Sequence, residues 1–352
     1  MCSMEYSIHE FAMAERRKIL ADTRSSKTGA AGENPKRRSR FSRLPRAGAE
    51  TRHLGDEHGL SGEVKKQWQI VFGRFIRQPR AMVSLGIFAL LGISSALAGV
   101  FWHYSYTDLT NQIATFGQGS PSLQHPFGVD PIGHDVFAQV MQGTKEDVQT
   151  ALLVACISTL IGTTIGALAG YFRSWVDTVL MRFTDFILAV PLLAVLAVLG
   201  NLAAKQSGSW FWVAIIIGVL SWTYVARLVR ADFLSLRERE FVEAARAIGA
   251  SNRRIIVRHL LPNALGPIIV NATLTVANAI ILESTLSFLG LGIQPPDVSL
   301  GSLVAAGEGD ATTFWWLFVF PASFIVLMIL CVNFIGDGLR EAFDPRRTRV
   351  RV

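Results

Sequence analysis

ADFLSLREREFVEAARAIGASNRRIIVRHLLPNALGP, residues 231–267, separates two apolar runs and concentrates six arginines in a short polar stretch. Phe241, Ala245 and Ile248 recur at helical spacing, which predicts a helix with those three on one face. Gly249 follows, a residue that adopts φ > 0 without a Cβ penalty and so ends helices. Ser251 is placed to cap a second helix through Asn252 to His259, and Pro262 breaks that helix before the next apolar run. Residues 231–263 therefore read as a helix–Gly–helix elbow. Ala244 and Ala245 leave room for close approach by a partner, and Glu243 with the arginines sets the charge pattern. On pattern alone, a docking element and a solvated amphipathic loop both remain open.

Working outward, six stretches meet the roughly 20-residue apolar requirement of a membrane span: 81–104, 150–170, 186–204, 210–226, 264–282 (extendable to 289) and 314–335. The fourth is the shortest and is expected to cross with little tilt. Pro191 and Pro321 fall inside spans and are expected to kink them. Ser158, Gly162, Gly166 and Gly170 form a small-residue stripe suited to close helix packing. The whole chain has 352 residues, 50% hydrophobic, with a mean hydropathy of +0.36. Only 17% are charged, well below the quarter common in soluble domains. The sequence thus predicts an all-α membrane protein with six transmembrane helices.

Charge placement gives the orientation. Of the 34 Lys and Arg residues, 32 fall in the tail and alternate connections, leaving Lys145 and Lys205 on the other side. By the positive-inside rule, the N- and C-termini are cytoplasmic. All eight tryptophans lie near the ends of these stretches, as an interfacial belt would place them. The excess positive charge belongs to residues 1–80 and is not gathered on a folded face, so nucleic-acid binding is not indicated.

Residues 1–64 are rich in Ser, Arg, Lys, Gly and Glu and read as a disordered basic cytoplasmic tail. It is either attracted to anionic headgroups or simply solvated, with Met4 and Met13 as alternative starts. Residues 65–80, with Trp68, Phe72 and Phe75, read as an interfacial amphipathic helix. The stretch 105–147 reads as an extracytoplasmic loop, followed by a membrane core of five spans at 148–346. Glu283 ends an apolar run, and two placements stay open: an intramembrane functional carboxylate or a water-facing one. The three cysteines form no close pair, and HExxH, GxSxG and GK[ST] patterns are absent. Any ATP chemistry must therefore occur on another chain. A secondary transporter stands as the rival class, with a membrane enzyme behind it.

Glu243-Ala244-Ala245, then Gly249, then Leu261-Pro262 resemble the EAA loop of permease subunits in binding-protein-dependent ABC importers. FGVDPIGHDVFAQVMQG (127–143), ILESTLSFLGLGIQPP (281–296) and GDGLREAFDPR (336–346) resemble the C-type permeases of the dipeptide, oligopeptide and nickel group. His134 stands where that group has Arg, and Leu300 where many members have Trp, both on the outer side. The resemblance covers residues 68–346. It implies a type I ABC importer permease fold and uptake of peptides, the alternative being nickel or another small solute. It also implies a homologous permease partner, two cytoplasmic ATPases carrying ATP and Mg, and an extracytoplasmic binding protein. No cofactor or metal is expected on this chain. The coupling residues would be Glu243, Ala244, Ala245, Gly249, Leu261 and Pro262, with Asn271, Asn278 and Glu283 as polar lining of the path.

Overall fold

The computed structural model describes residues 67–109, 119–203 and 209–344, all within one compact unit covering 63–352. The tail 1–64, residues 110–118 and Lys205 lie outside the described residues. The helices are α1 (Gln67–Ile76), α2 (Pro79–Phe101), α3 (Val136–Phe172), α4 (Ser174–Ala189), α5 (Leu192–Ala203) and α6 (Ser209–Arg237). They continue with α7 (Glu240–Ala247), α8 (Asn252–Ile255), a π turn (Ile256–Leu260), α9 (Leu261–Phe288), α10 (Leu300–Glu308) and α11 (Trp315–Phe343). Among the described residues, β-structure is confined to isolated bridges, Leu109 with His134 and Val129 with Asp135. An all-helical body keeps backbone hydrogen bonds within each segment, as lipid requires.

Five helical runs are long and apolar enough to span a membrane: α2, α3, α6, Asn252–Phe288 and α11. The sixth is a bent pair, α4 and α5, which meet at 74°. Pro191 is the cause. It has no N–H to donate, and it pushes Val190 out of the helical region to φ −86°, ψ 131°. The kink expected at this proline is present, but the pair begins at Ser174, twelve residues before the apolar stretch 186–204. Pro321, by contrast, is carried inside the unbroken α11.

Other boundaries also differ from the sequence reading. Helix α3 starts at Val136, inside the stretch read as a loop, and its 37 residues make it far longer than the apolar core 150–170. Helix α6 has 29 residues where hydropathy marked 17, because its final turns carry Arg227, Arg230 and Asp232 beyond the apolar section. Pro262 does not break the chain's helix. The π turn shifts the register immediately before it, so the proline falls in the first turn of α9, where an N–H is not needed. The Asn263 side chain covers the carbonyl of His259 at 2.6 Å. The short α10 was not foreseen; its capping box, Ser299 with Ser302, was the legible signal.

The longest interface is α3 against α6. A Cβ at Gly162 would lie 2.6 Å from Val225 Cβ, and one at Gly170 2.6 Å from Phe233 Cβ. The small-residue stripe is therefore what lets these backbones meet, and in lipid such contact is the main source of helix adhesion. Arg230 fastens α4 to the same helix through two bonds to Asp177, at 2.5 and 2.7 Å. In α1, Val71 and Phe75 are buried with Ala81 and Ala342, whereas Phe72 remains 66% exposed. The tryptophan belt is only partial: Trp222 is buried in mid-helix, and Trp316 is buried with its indole N–H donating to the Val129 carbonyl at 3.2 Å.

At the end of the bundle away from the elbow, buried Asp135 acts as a hub. It caps α3 through Ala138 N at 2.7 Å, bonds His125 Nδ1 at 2.6 Å and accepts from Trp102 Nε1 at 3.2 Å. His134 pairs with Asp130 at 2.8 Å, and Leu300 is fully buried at the start of α10.

Candidate functional site

The elbow is built by a helix stop of defined geometry. Gly249 has φ +78°, Ala250 N donates to Ala245 O at 3.0 Å and Gly249 N to Arg246 O at 2.9 Å. These are the two bonds of a Schellman motif, with glycine at the left-handed position. Ser251 then accepts from Arg254 N and starts α8. The chain thus leaves α7 for α8 with the carbonyls of Ala244, Ala245 and Arg246 satisfied.

The faces of α7 are not those read from the sequence. Val242 and Ala245 point inward, joining Ile255, Leu260 and Ala264 against Tyr171, Val229 and Phe233. Phe241 is 39% exposed and Ile248 is 85% exposed, so neither belongs to the inner face. Glu243 and Ala244 are exposed beside them, Leu261 is half-buried and Pro262 is exposed. The pattern failed because the inward set is assembled from two helices and a π turn, and a single-helix period does not describe it. The outer face joins an acidic group, a small residue and the bare aliphatic Ile248, on a backbone held rigidly from behind.

Two connections lead from the elbow into the bundle. The first runs through Tyr171 at the end of α3: its hydroxyl donates to Asn252 Oδ1 at 2.6 Å, and the guanidinium groups of Arg237 and Arg246 lie over its ring. Arg237 also donates to the Tyr171 carbonyl at 2.5 Å. The second is the unbroken run from Asn252 to Phe288. Tyr171 was missed by sequence reasoning because it lies 81 residues from its partner.

The polar candidates are spread along α9. Asn278 lines a chamber of about 510 Å³ at the Pro191 bend, with Ser221, Thr223 and Tyr224 of α6 opposite. Asn271 is buried and lines a second chamber of about 310 Å³ nearer the elbow, with Arg340 and Asp344. Tyr224 borders both chambers. Glu283 lines neither. It is fully buried between α3, α9 and α10, accepts from Ser287 Oγ at 2.7 Å and lies near the buried carboxyl of Asp147. Asp147 accepts from Leu300 N at 3.3 Å. The coupling candidates are thus gathered at one end, whereas Asn271, Asn278 and Glu283 occupy three separate environments. Among the described residues no cluster of His, Cys, Asp and Glu could hold a metal ion.

Comparison with known proteins converges on one family. The family described as the binding-protein-dependent transport system inner membrane component matches residues 162–349. The N-terminal TM domain of oligopeptide transport permease C matches residues 66–126. The oligopeptide transport system permease protein OppC of Mycobacterium tuberculosis is 42% identical over 80% of this chain and 96% of its own length. The protein of the same name from Haemophilus influenzae is 37% identical over 81% of this chain and 90% of its own. Among solved structures, a chain of the MetNI methionine ABC transporter in an inward-facing conformation is 19% identical, with a TM-score of 0.49, covering 58% of this chain and 97% of that one. With a family match over more than half its length and a 42% identical relative covered nearly end to end, this multi-pass protein belongs to the inner-membrane permease family of binding-protein-dependent ABC importers.

Proposed function

We propose that this chain forms half of the transmembrane path of an ATP-driven peptide importer, and that its elbow is the seat of one ATPase. The observation that carries the reading is Ile248, an aliphatic side chain left 85% exposed on a backbone locked from behind by the Schellman bonds and by Val242 and Ala245. A rigid apolar knob flanked by Glu243 and Ala244 fits a groove on a partner. The relatives named oligopeptide permeases support peptides as substrate over nickel or another small solute.

In this reading the elbow faces the cytoplasm, as do both termini, and the protein resides in the cytoplasmic membrane of a bacterium. The other half of the path is a homologous permease, and an extracytoplasmic binding protein delivers the peptide. ATP and Mg are held by two partner ATPases, and this chain holds no cofactor. ATP closes the ATPase pair and displaces α7 and α8. That displacement reaches α3 through Tyr171 and Arg246, and α9 through the continuous Asn252–Phe288 run. Nucleotide drives the switch only by its differential affinity for the two states. Gly249, Leu261 and Pro262 fix the elbow's shape. Asn271 and Asn278 line the path, and Glu283 contributes from behind it, holding α9 and α10 in register with α3.

The test is uptake of a radiolabelled tripeptide by cells expressing the complete operon. Uptake abolished by ATP depletion and unaffected by a protonophore is the expected result. Uptake that survives ATP depletion and collapses with the proton gradient would establish a secondary transporter instead.

A further inference from the structure

Helices α3 and α4 are joined by a single residue. Arg173, between Phe172 and Ser174, has φ 53° and ψ −161°, and Ser174 follows at φ 55°. Among the described residues these are the two non-glycine residues with positive φ. The Arg173 conformation lies beside a region essentially reserved for glycine, and such backbone persists only where its surroundings over-determine it. Glycine would carry this joint without strain. The glycine of this segment, Gly170, instead stands three residues earlier, where a Cβ would meet Phe233.

The groups that hold the joint come from α6 and the link that follows it. Before the joint, Arg237 donates to the Tyr171 carbonyl. After it, Arg230 grips Asp177 of α4 through two bonds. Across it, the Arg173 guanidinium pairs with Glu238 at 2.6 Å. Arg230 and Arg237 belong to α6, and Glu238 sits in the short link to α7 of the elbow. The joint also lies two residues beyond Tyr171, which bonds Asn252 of the elbow. On its far side, α4 runs to the Pro191 bend and supplies Ile187 and Leu188 to the wall of the 510 Å³ chamber. Ser174 is exposed, and no side-chain hydrogen bond caps α4, so neither packing nor capping accounts for a Cβ here.

We infer that Arg173 and Ser174 form a strained hinge that positions α4. Movement of the elbow loosens the clamps from Arg237 and Glu238, the backbone relaxes, and α4 swings relative to α3 with its stretch of chamber wall. Strain present in one arrangement and absent in the other is a differential free energy, and it favours departure from the arrangement described here. The inference rests on the coupling reading above and extends it from the elbow to α4.

The test compares Ser174→Ala, which keeps the Cβ, with Ser174→Gly, which removes it. Each is assembled into the complete importer in proteoliposomes with binding protein and labelled Ala-Ala-Ala-Ala. Ser174→Ala should transport within about twofold of wild type. Ser174→Gly should melt at or above the temperature of Ser174→Ala, because the strain is gone. Its maximal uptake should nevertheless fall about fivefold or more, since the arrangement it must leave has become more stable. The half-saturating concentration of loaded binding protein should not change. Arg173→Lys, which keeps the strained backbone and the charge facing Glu238, should behave as wild type. Equal maximal uptake by the alanine and glycine variants, or a glycine variant that melts lower, would overturn the inference. Wild-type uptake that survives ATP depletion would instead overturn the coupling reading on which it rests.

Discussion

Gly249 shows how a single residue sets the elbow. A Cβ at this position would meet nothing within 4 Å, so space is not the constraint; φ +78° is. Alanine there costs about 1 kcal/mol and should leave a working protein. Proline cannot reach that φ and also removes the N–H that donates to Arg246 O. Gly249→Pro is therefore expected to insert normally and to lose transport, as measured by peptide uptake against membrane-fraction abundance; normal uptake would refute the elbow's role. The adjacent alanines divide in a way the sequence did not reveal. Ala244 is exposed, so Ala244→Arg should block ATPase association while leaving the permease's melting temperature unchanged. Ala245 is packed inward, so Ala245→Arg should lower the melting temperature by forcing a charge among Tyr171, Val229 and Phe233. Equal melting of the two variants would contradict the assigned faces.

At the scale of elements, α3 against α6 and α3 against the elbow carry the argument. Replacing Gly162 by Leu drives a side chain into Val225 and the Trp222 carbonyl. Overpacking of this kind costs about 1–3 kcal/mol and should sharply reduce the monodisperse fraction in detergent. A normal elution profile would count against this interface. Tyr171→Phe removes one hydrogen bond to Asn252, worth about 1 kcal/mol. ATPase binding should persist while peptide moved per ATP falls several-fold. If transport per ATP is unchanged, the elbow acts on the bundle through α9 alone.

These elements also show what the sequence could disclose. The apolar runs were legible because hydropathy needs no partner. The glycine stop at 249 and the serine cap at 251 were legible because both are local. The inner face of α7 was not, since Val242 and Ala245 acquire their direction from α8 and the π turn. Helix ends were misplaced wherever charged residues ride on a helix that outlasts its apolar section, as with Arg230 and Asp232 in α6. Tyr171 and the Asp135 hub depend on contacts between distant segments, which periodicity cannot express.

At the scale of the whole molecule, the proposed function makes this chain one wall of a path whose remainder the assembly supplies. The chambers beside α6 and α9 are open on one side, and the elbow presents an apolar knob outward. In the proposed assembly other chains complete both features, so association is the property to measure. The most direct measurement is co-purification in mild detergent from the native host, through a C-terminal tag, of the wild-type chain and its Ile248→Glu variant. The wild type is expected to bring down a second permease and two ATPases. The variant should retain the permease and lose at least tenfold of the ATPase, since truncating or charging a buried interface anchor commonly costs 2 kcal/mol or more. A folded wild-type chain recovered alone, or a variant that retains its ATPase in full, would contradict the account.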